Sequence, residues 1–442
     1  MRKKRYIGLT TALLISGCKP SVELDVDVVL SDVISTVATA TLSPGDLDFE
    51  SAQIEFGATT DYGNTLTFDL TSEGPYALKL LGNKPDQEVF YKVSASTGSE
   101  TLEYSDSFET GAVWNELPAF TVDGTNTVDG YILFALVSEP GAVVMLDNEG
   151  DYVWWSEIDV SLQPYGRARI SRDRQSVYYL PINQSDQIVN AGIYQVAIDG
   201  ESTELIEAEG AHHDFIELDN GTLATLVYDA QNEGGQWIDG DAILEIAPDG
   251  TQTKITSIWD HEIYDPEASD VPGTTWSHAN VLDYDETLET YTVSFLGFSS
   301  IYRFGRDGAL HWRLGGDQSD FALPGGETEL FNYQHNFQFL EDSVVIFDNG
   351  DIGAMSSRIV EYSFDENSSD IDQIWSFTPD PELYCFSLGD ATRLDNGNTF
   401  ANFSVQGHLF EVNPEGEVIW TLAGELGAAF GYTSLLDSLY AE

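Results

Sequence analysis

The sequence predicts an all-β protein, a small β-sandwich followed by a six-bladed β-propeller, on three observations. Five stretches align on one another at spacings of roughly 50 to 65 residues. They are YGRARISRDRQ from Tyr165, HDFIELDNG from His213, HANVLDYDE from His278, HNFQFLEDS from His335 and GDATRLDNG from Gly389. Each is followed by two or three short apolar runs, the four-strand rhythm of a propeller blade. An acidic-Gly pair also recurs ahead of the last strand of a repeat, at Glu149-Gly150, Asp199-Gly200, Asp249-Gly250, Asp307-Gly308 and Glu415-Gly416, with a degenerate DENSSD near Asp365. Such pairs give a tight hairpin the positive φ it needs, and they count six blades.

Residues 1–17 read as an export signal. Arg2, Lys3, Lys4 and Arg5 form a basic start, residues 6–15 an apolar run too short to span a bilayer, and LISGC ends at Cys18. This ending resembles the bacterial lipobox, which makes Cys18 the lipidated first residue of the mature chain. The expected location is the bacterial envelope, anchored by lipid at the outer membrane or periplasm. Cys385 is then the one remaining thiol, so no intramolecular disulfide is available.

Residues 18–111 alternate as strands do, in VELDVDVVL, STVATATL, SAQIEFGAT, TLTFDL, EVFYKVSAS and YSDSFETG, with turns every few residues. The run YALKLLGNKPDQEVFYKVSA resembles the last strands of an immunoglobulin or fibronectin type III-like domain, usually a spacer or docking module. No cluster of polar residues suggests chemistry there.

Residues 112–442 hold the propeller. The third repeat reads as strand A from His213, then TLATLVYD, AILEIAPDG and TQTKITSIWD; the fourth repeats the order from His278. The first blade lacks a strand A, and the tail GYTSLLDSLY from Gly431 looks like a spare one, with Leu436-Asp437-Ser438 matching Leu218-Asp219-Asn220. The tail is expected to close the ring by joining the first blade, which removes an exposed edge.

A formal charge of −57 excludes nucleic acid as a partner and opposes anionic lipid surfaces. It also opposes any anionic substrate that lacks local cations. Asp-rich turns such as DNGD and LDNGN lack the alternation of a calcium-binding EF-hand loop and read as hairpins. The chemistry-bearing pattern is histidine. AHHDF with His212 and His213, WSHAN with His278 and YQHNF with His335 all sit at strand A starts, beside Trp276, Tyr333 and Phe386. In a propeller these starts share one mouth of the central channel, the usual place for a site.

The ordered series HHDFIELDNG, WSHANVLD, SIYRFGRDGALHWRLGG, QHNFQFLEDSVVIFDNG and RLDNGNTFANFS resembles the bacterial arylsulfotransferases. That resemblance implies a six-bladed propeller behind a sandwich, acting on a small-molecule aryl sulfate and a phenol with no nucleotide donor and no cofactor. It implies a ping-pong route in which His335 is sulfated while His278 and His213 bind the sulfonate and move protons. His212, Trp276 and Tyr333 would contribute to substrate binding. One position departs from the family: Leu296 stands where its strand B arginine belongs. Arg358 in SSRIVEY and Arg167 at the second blade are the candidate replacements for that anion contact. Two other readings stay open, a three-histidine zinc hydrolase and a non-catalytic binding propeller.

Overall fold

The computed structural model describes residues 23–441 apart from 126, 129, 138–139, 158–164, 182–191, 267–274, 352, 354 and 426, so the expected signal and Cys18 lie outside the described residues. The chain divides into two compact units between Asn115 and Glu116. Among the described residues both units are built from β-strands, and the helical pieces are single 3-10 turns at Ile258–Asp260, Leu296–Phe298 and Ser404–Gln406. No helix is long and apolar enough to cross a membrane.

The first unit is two antiparallel sheets. One takes Asp25–Leu30, Ala38–Ser43 and Tyr76–Leu80 in that order; the other runs Asn64–Thr67, Ser51–Gly57, Glu88–Ser96, Thr101–Glu109. Period-two alternation sends Ala38, Ala40 and Leu42 of one sheet, and Ile54, Phe56, Val89 and Val93 of the other, into the core.

The second unit holds six antiparallel sheets. The second to fifth are each a continuous stretch of four strands, for example Ala211–Glu217, Leu223–Glu233, Gln236–Ile246 and Gln252–Ser257 in the third. At the hairpin before the last strand, Gly150, Gly200, Gly250, Gly308 and Gly416 all have φ between +74° and +87°, which an L side chain would strain. Apolar layers fill the space between consecutive sheets. Leu180 and Ile193 meet Phe215 and Leu223; Leu226 and Ile243 meet Leu282 and Val293; Ile301 and Leu314 meet Val344 and Ile346; Phe347 and Ile359 meet Ala401 and Phe403.

Two chain ends complete the set. Ser434–Leu436 pairs antiparallel with Tyr131–Leu136 as the fourth strand of the first sheet. Thr121–Gly124 adds a fifth, outer strand to the sixth sheet by pairing with Val418–Ala423. The first and the sixth sheets are thus each stitched from both ends of the unit.

Beside the closing strand, one buried polar hub joins five of the sheets and the segment leading into the fifth. Tyr432 is fully buried; its N–H donates to Gly166 O at 2.7 Å and its hydroxyl to Asn280 O at 3.2 Å. Gly431 N–H donates to Ala135 O, and Asn402 Nδ2 donates to Gly431 O. Thr433 donates twice to Asp390 Oδ2. Asn280 Nδ2 reaches Gln334 O, in the segment leading into the fifth sheet, at 2.8 Å. The Arg167 guanidinium lies 4.2 Å from the Tyr432 ring centre and forks onto Asp214 at 2.8 and 3.0 Å.

A buried ion pair adds little net energy over an apolar filling, but breaking one half leaves an uncompensated charge. Arg167→Met should therefore lower unfolding stability in urea by about 3–5 kcal/mol. A loss below about 1 kcal/mol would mean that the hub does not hold the sheets together.

Candidate active site

Strand A of the third and fourth sheets begins irregularly, and that irregularity aims the histidines. His213 and His278 hold left-handed backbone, φ +59° and +49°, a conformation that costs on the order of 1 kcal/mol or more outside glycine. The strand register slips beside each, between His212 and Phe215 and between Ala279 and Val281. Bulges of this kind re-aim a side chain at the rim of a sheet. In the fifth sheet the left-handed residue is Tyr333, φ +53°, and His335 follows it by two positions. Three histidines aligned in sequence are therefore not equivalent in space: His213 and His278 are half-buried, while His335 is buried.

His213 and His278 are in ring contact, their centres 5.1 Å apart. Behind them stands His212, fully buried and stacked on Tyr228 at 4.1 Å. His212 Nε2 lies 3.0 Å from Asp241 Oδ1, a close charge contact without the alignment of a hydrogen bond, and its Nδ1 lies 2.8 Å from His213 Nδ1. The carboxylate favours a proton on His212 Nε2, which leaves Nδ1 as the acceptor. His213 then donates through Nδ1 and carries its lone pair on Nε2. The other Asp241 oxygen accepts from the Ser277 hydroxyl and from Ala279 N–H, so the relay is anchored to the same strand that carries His278.

His335 is held by different partners. Its Nδ1 lies 2.8 Å from Asn349 Oδ1 and 3.2 Å from Tyr333 O. Asn349 Nδ2 donates to Cys385 O and Leu388 O, which fixes its oxygen toward the ring. His335 is thereby protonated at Nδ1, and Nε2 accepts from Leu388 N–H at 3.0 Å.

Burial keeps all three imidazoles neutral. It pushes His335 down to about 4, against the raising effect of Asn349. It pushes His213 well below the ordinary range, helped by His212, His278 and His335. His278 is lowered by burial too, with Asp241 opposing, and its Nδ1 is a buried atom that has no hydrogen-bond partner among the described residues. The mutual effect of His213 with both other rings is the electrostatic mark of their convergence.

The remaining sequence candidates divide. Leu296 stands directly beside the site, its N–H donating to His278 O at 3.0 Å. Trp276 is buried in a box with Trp259, Tyr264 and Phe298. Tyr333 holds the turn into His335, its N–H donating to Ser299 Oγ. Arg358 pairs with Asp348 at 2.8 Å and reaches Leu330 O, and Arg167 is committed to Asp214 in the hub. Neither guanidinium contacts a site histidine. Trp237, near the start of the strand Gln236–Ile246, and Met355 and Phe386, on connections between strands, are exposed apolar side chains at the same ends of their sheets as the strand A starts. Among the described residues, the one group of three or more acidic, histidine or cysteine side chains with ligand atoms within 4.8 Å of one another is Asp147, Glu149 and Asp151, in a hairpin turn. The three histidines do not meet that spacing, which disfavours a tridentate zinc site.

Asp241, Asn349 and the partnering role of His212 were not legible in the sequence. Asn349 sits in DNGD, a string that reads as a turn, and Asp241 is one aspartate among many.

A family model described as Arylsulfotransferase (ASST) matches residues 123–421. No curated protein matches the sequence. Solved structures with similar folds include a protein of unknown function from Bacteroides caccae (13% identity, TM-score 0.43, covering 69% of this chain and 98% of that one). A nidogen/laminin complex (9%, TM-score 0.45, 70% and 99%) and a streptogramin B lyase (12%, TM-score 0.34, 69% and 98%) are also similar.

Because the folded state holds His335 neutral, the unfolded chain binds its proton first as pH falls. The stability tied to that neutral form is present above about 6.5 and is lost between there and about 4. Histidine-labelled NMR should find a His335 titration midpoint near 4. A midpoint at the ordinary 6.5 would contradict the buried, Asn349-bonded ring.

Proposed function

The chain belongs to the arylsulfotransferase family, and we propose that it carries a sulfuryl group from a phenolic sulfate ester to a phenolic acceptor through a sulfated histidine, without a nucleotide donor. The observation that carries this reading is the convergence of neutral imidazoles from three successive sheets on one mouth. We read those sheets as blades of a six-bladed propeller. The first unit, with its three-plus-four division of strands, is read as an immunoglobulin or fibronectin type III-like sandwich. Lipidation at Cys18 and an envelope location belong to the same proposal.

Neutral imidazole is the form that attacks. His335 Nε2 forms the N–S bond as the S–O bond to the aryl group breaks, and the phenolate leaves as an anion that takes its proton from water. The acceptor oxygen then attacks sulfur, its proton passes to the Nε2 lone pair of His213 and on to water, and the N–S bond breaks, which returns His335 Nε2 to its neutral form. Attack requires Leu388 N–H to release Nε2. The left-handed Leu388, φ +59°, followed by Gly389 at φ +117°, is the joint where that peptide can turn. The exposed Trp237, Met355 and Phe386 offer apolar contact for aryl rings. The Asp241–His212–His213 relay holds the lone pair of His213 outward as the proton acceptor.

Charge on the equatorial oxygens is the weak point. Leu296 offers no donor there, and Arg358 and Arg167 are neutralised by Asp348 and Asp214. These pairings favour a second reading, a propeller that binds its ligand without turning it over. Incubation with a chromogenic aryl sulfate and a phenol separates the two. Turnover is expected in the wild type; His335→Ala should abolish it and His278→Ala should cost roughly 10²- to 10⁴-fold. Leu296→Arg should raise kcat/KM by about tenfold or more. If wild type and Leu296→Arg are both inert, the enzymatic reading fails and the binding reading stands.

A further inference from the structure

Four of the chain's 18 basic residues fall within positions 167–174, in a protein that carries 75 acidic ones. Arg167 serves the hub. Arg169, Arg172 and Arg174 line a cavity of about 260 Å³ together with Tyr178, Glu217 and Ser434. This cavity lies at the far end of strand A from the histidines: Glu217 is four residues past His213, roughly 13 Å along an extended strand. It is therefore a separate site from the one described above.

The three arginines are not fully used by the protein. Arg167 takes the bidentate fork of Asp214, so Arg169 has only a longer contact to the same carboxylate, 3.3 Å through Nη2. Arg169 Nε is buried and has no hydrogen-bond partner among the described residues. Asp283 also faces Arg169 electrostatically. Arg172 is held at the rim by Glu217 O, Asp219 and Glu286, and its N–H occupies Glu217 Oε2, which turns that acidic oxygen to internal use. Among the described residues Arg174 has no carboxylate partner; it sits at a left-handed turn, φ +59°. Leu435 and Leu436 of the closing strand form the apolar side.

We propose that this cavity binds a small organic oxyanion, a phosphate or carboxylate group held by Arg169 and Arg174 with an apolar body against the closing strand. Planar guanidinium donors match the oxygens of such groups in pairs. A cluster of them standing against the field of the rest of the chain selects for an anion that the remaining surface repels. Because the lining comes from the first, second and third sheets, the ligand ties the closing strand to its neighbours and stabilises the folded ring by mass action.

Calorimetric and thermal-shift titration of the full chain with inorganic phosphate, and separately with malonate, tests this. Saturable binding and a rising Tm are expected with at least one probe, and which probe binds distinguishes a phosphate from a carboxylate ligand. Arg174→Ala should weaken that binding about tenfold or more. His278→Ala should leave it intact, which separates this cavity from the histidine mouth, and Lys254→Ala, an exposed charge elsewhere, should leave it intact too. Absence of saturable binding of either probe to the wild type overturns the proposal, as does equal affinity in Arg174→Ala.

Discussion

The second unit depends on one buried contact, Arg167 held between the Asp214 carboxylate and the face of Tyr432. A charge that deep is tolerated only where every neighbour answers it. The answer here comes from several sheets at once. Asp214 also accepts from Leu282 N–H at 3.0 Å, which extends the pair from the second and third sheets into the fourth. Tyr432 arrives from the chain's far end and brings the closing strand with it. The hydrogen bonds around it leave little choice of register, since a slip by one residue would bury unpaired polar groups.

The candidate site is a consequence of that closure. Asp214 directly follows His213, so the hub pins the backbone that presents the imidazole. Asn280 follows His278 by two positions and bonds both Tyr432 and Gln334, and Gln334 in turn precedes His335. Each site histidine is thus within two residues of a hub member. The same enclosure decides protonation. In a chain of charge −57 the overall field favours protonated histidines, yet burial wins and holds the three rings neutral. A neutral nitrogen with a defined tautomer, as His213 and His335 present, is what nucleophilic or proton-transfer chemistry requires.

Much of the architecture was legible because it repeats. Strand alternation and the acidic-Gly hairpins are local properties, and the turn glycines adopt the positive φ their positions imply. The matching of His213 with His278 was legible for the same reason. The partners of side chains were not. Arg358 lies beside Asp348 because adjacent strands pair those two residues, a fact of register that spacing does not disclose. His335 lies beyond the left-handed step because the fifth sheet puts its irregular residue at Tyr333. Thr121–Gly124 is exposed at every position, so it carries no burial pattern, and its place at the edge of the sixth sheet follows from backbone pairing alone.

If the closing strand and Tyr432 organise the mouth, they must open only when the whole unit unfolds. Native-state hydrogen exchange of the Tyr432 and Thr433 amides, bonded to Gly166 O and Asp390 Oδ2, measures this directly against the urea unfolding free energy. The two free energies should agree. Exchange through a local opening several kcal/mol cheaper than global unfolding would mean that the strand is an ornament on a unit held together by other contacts.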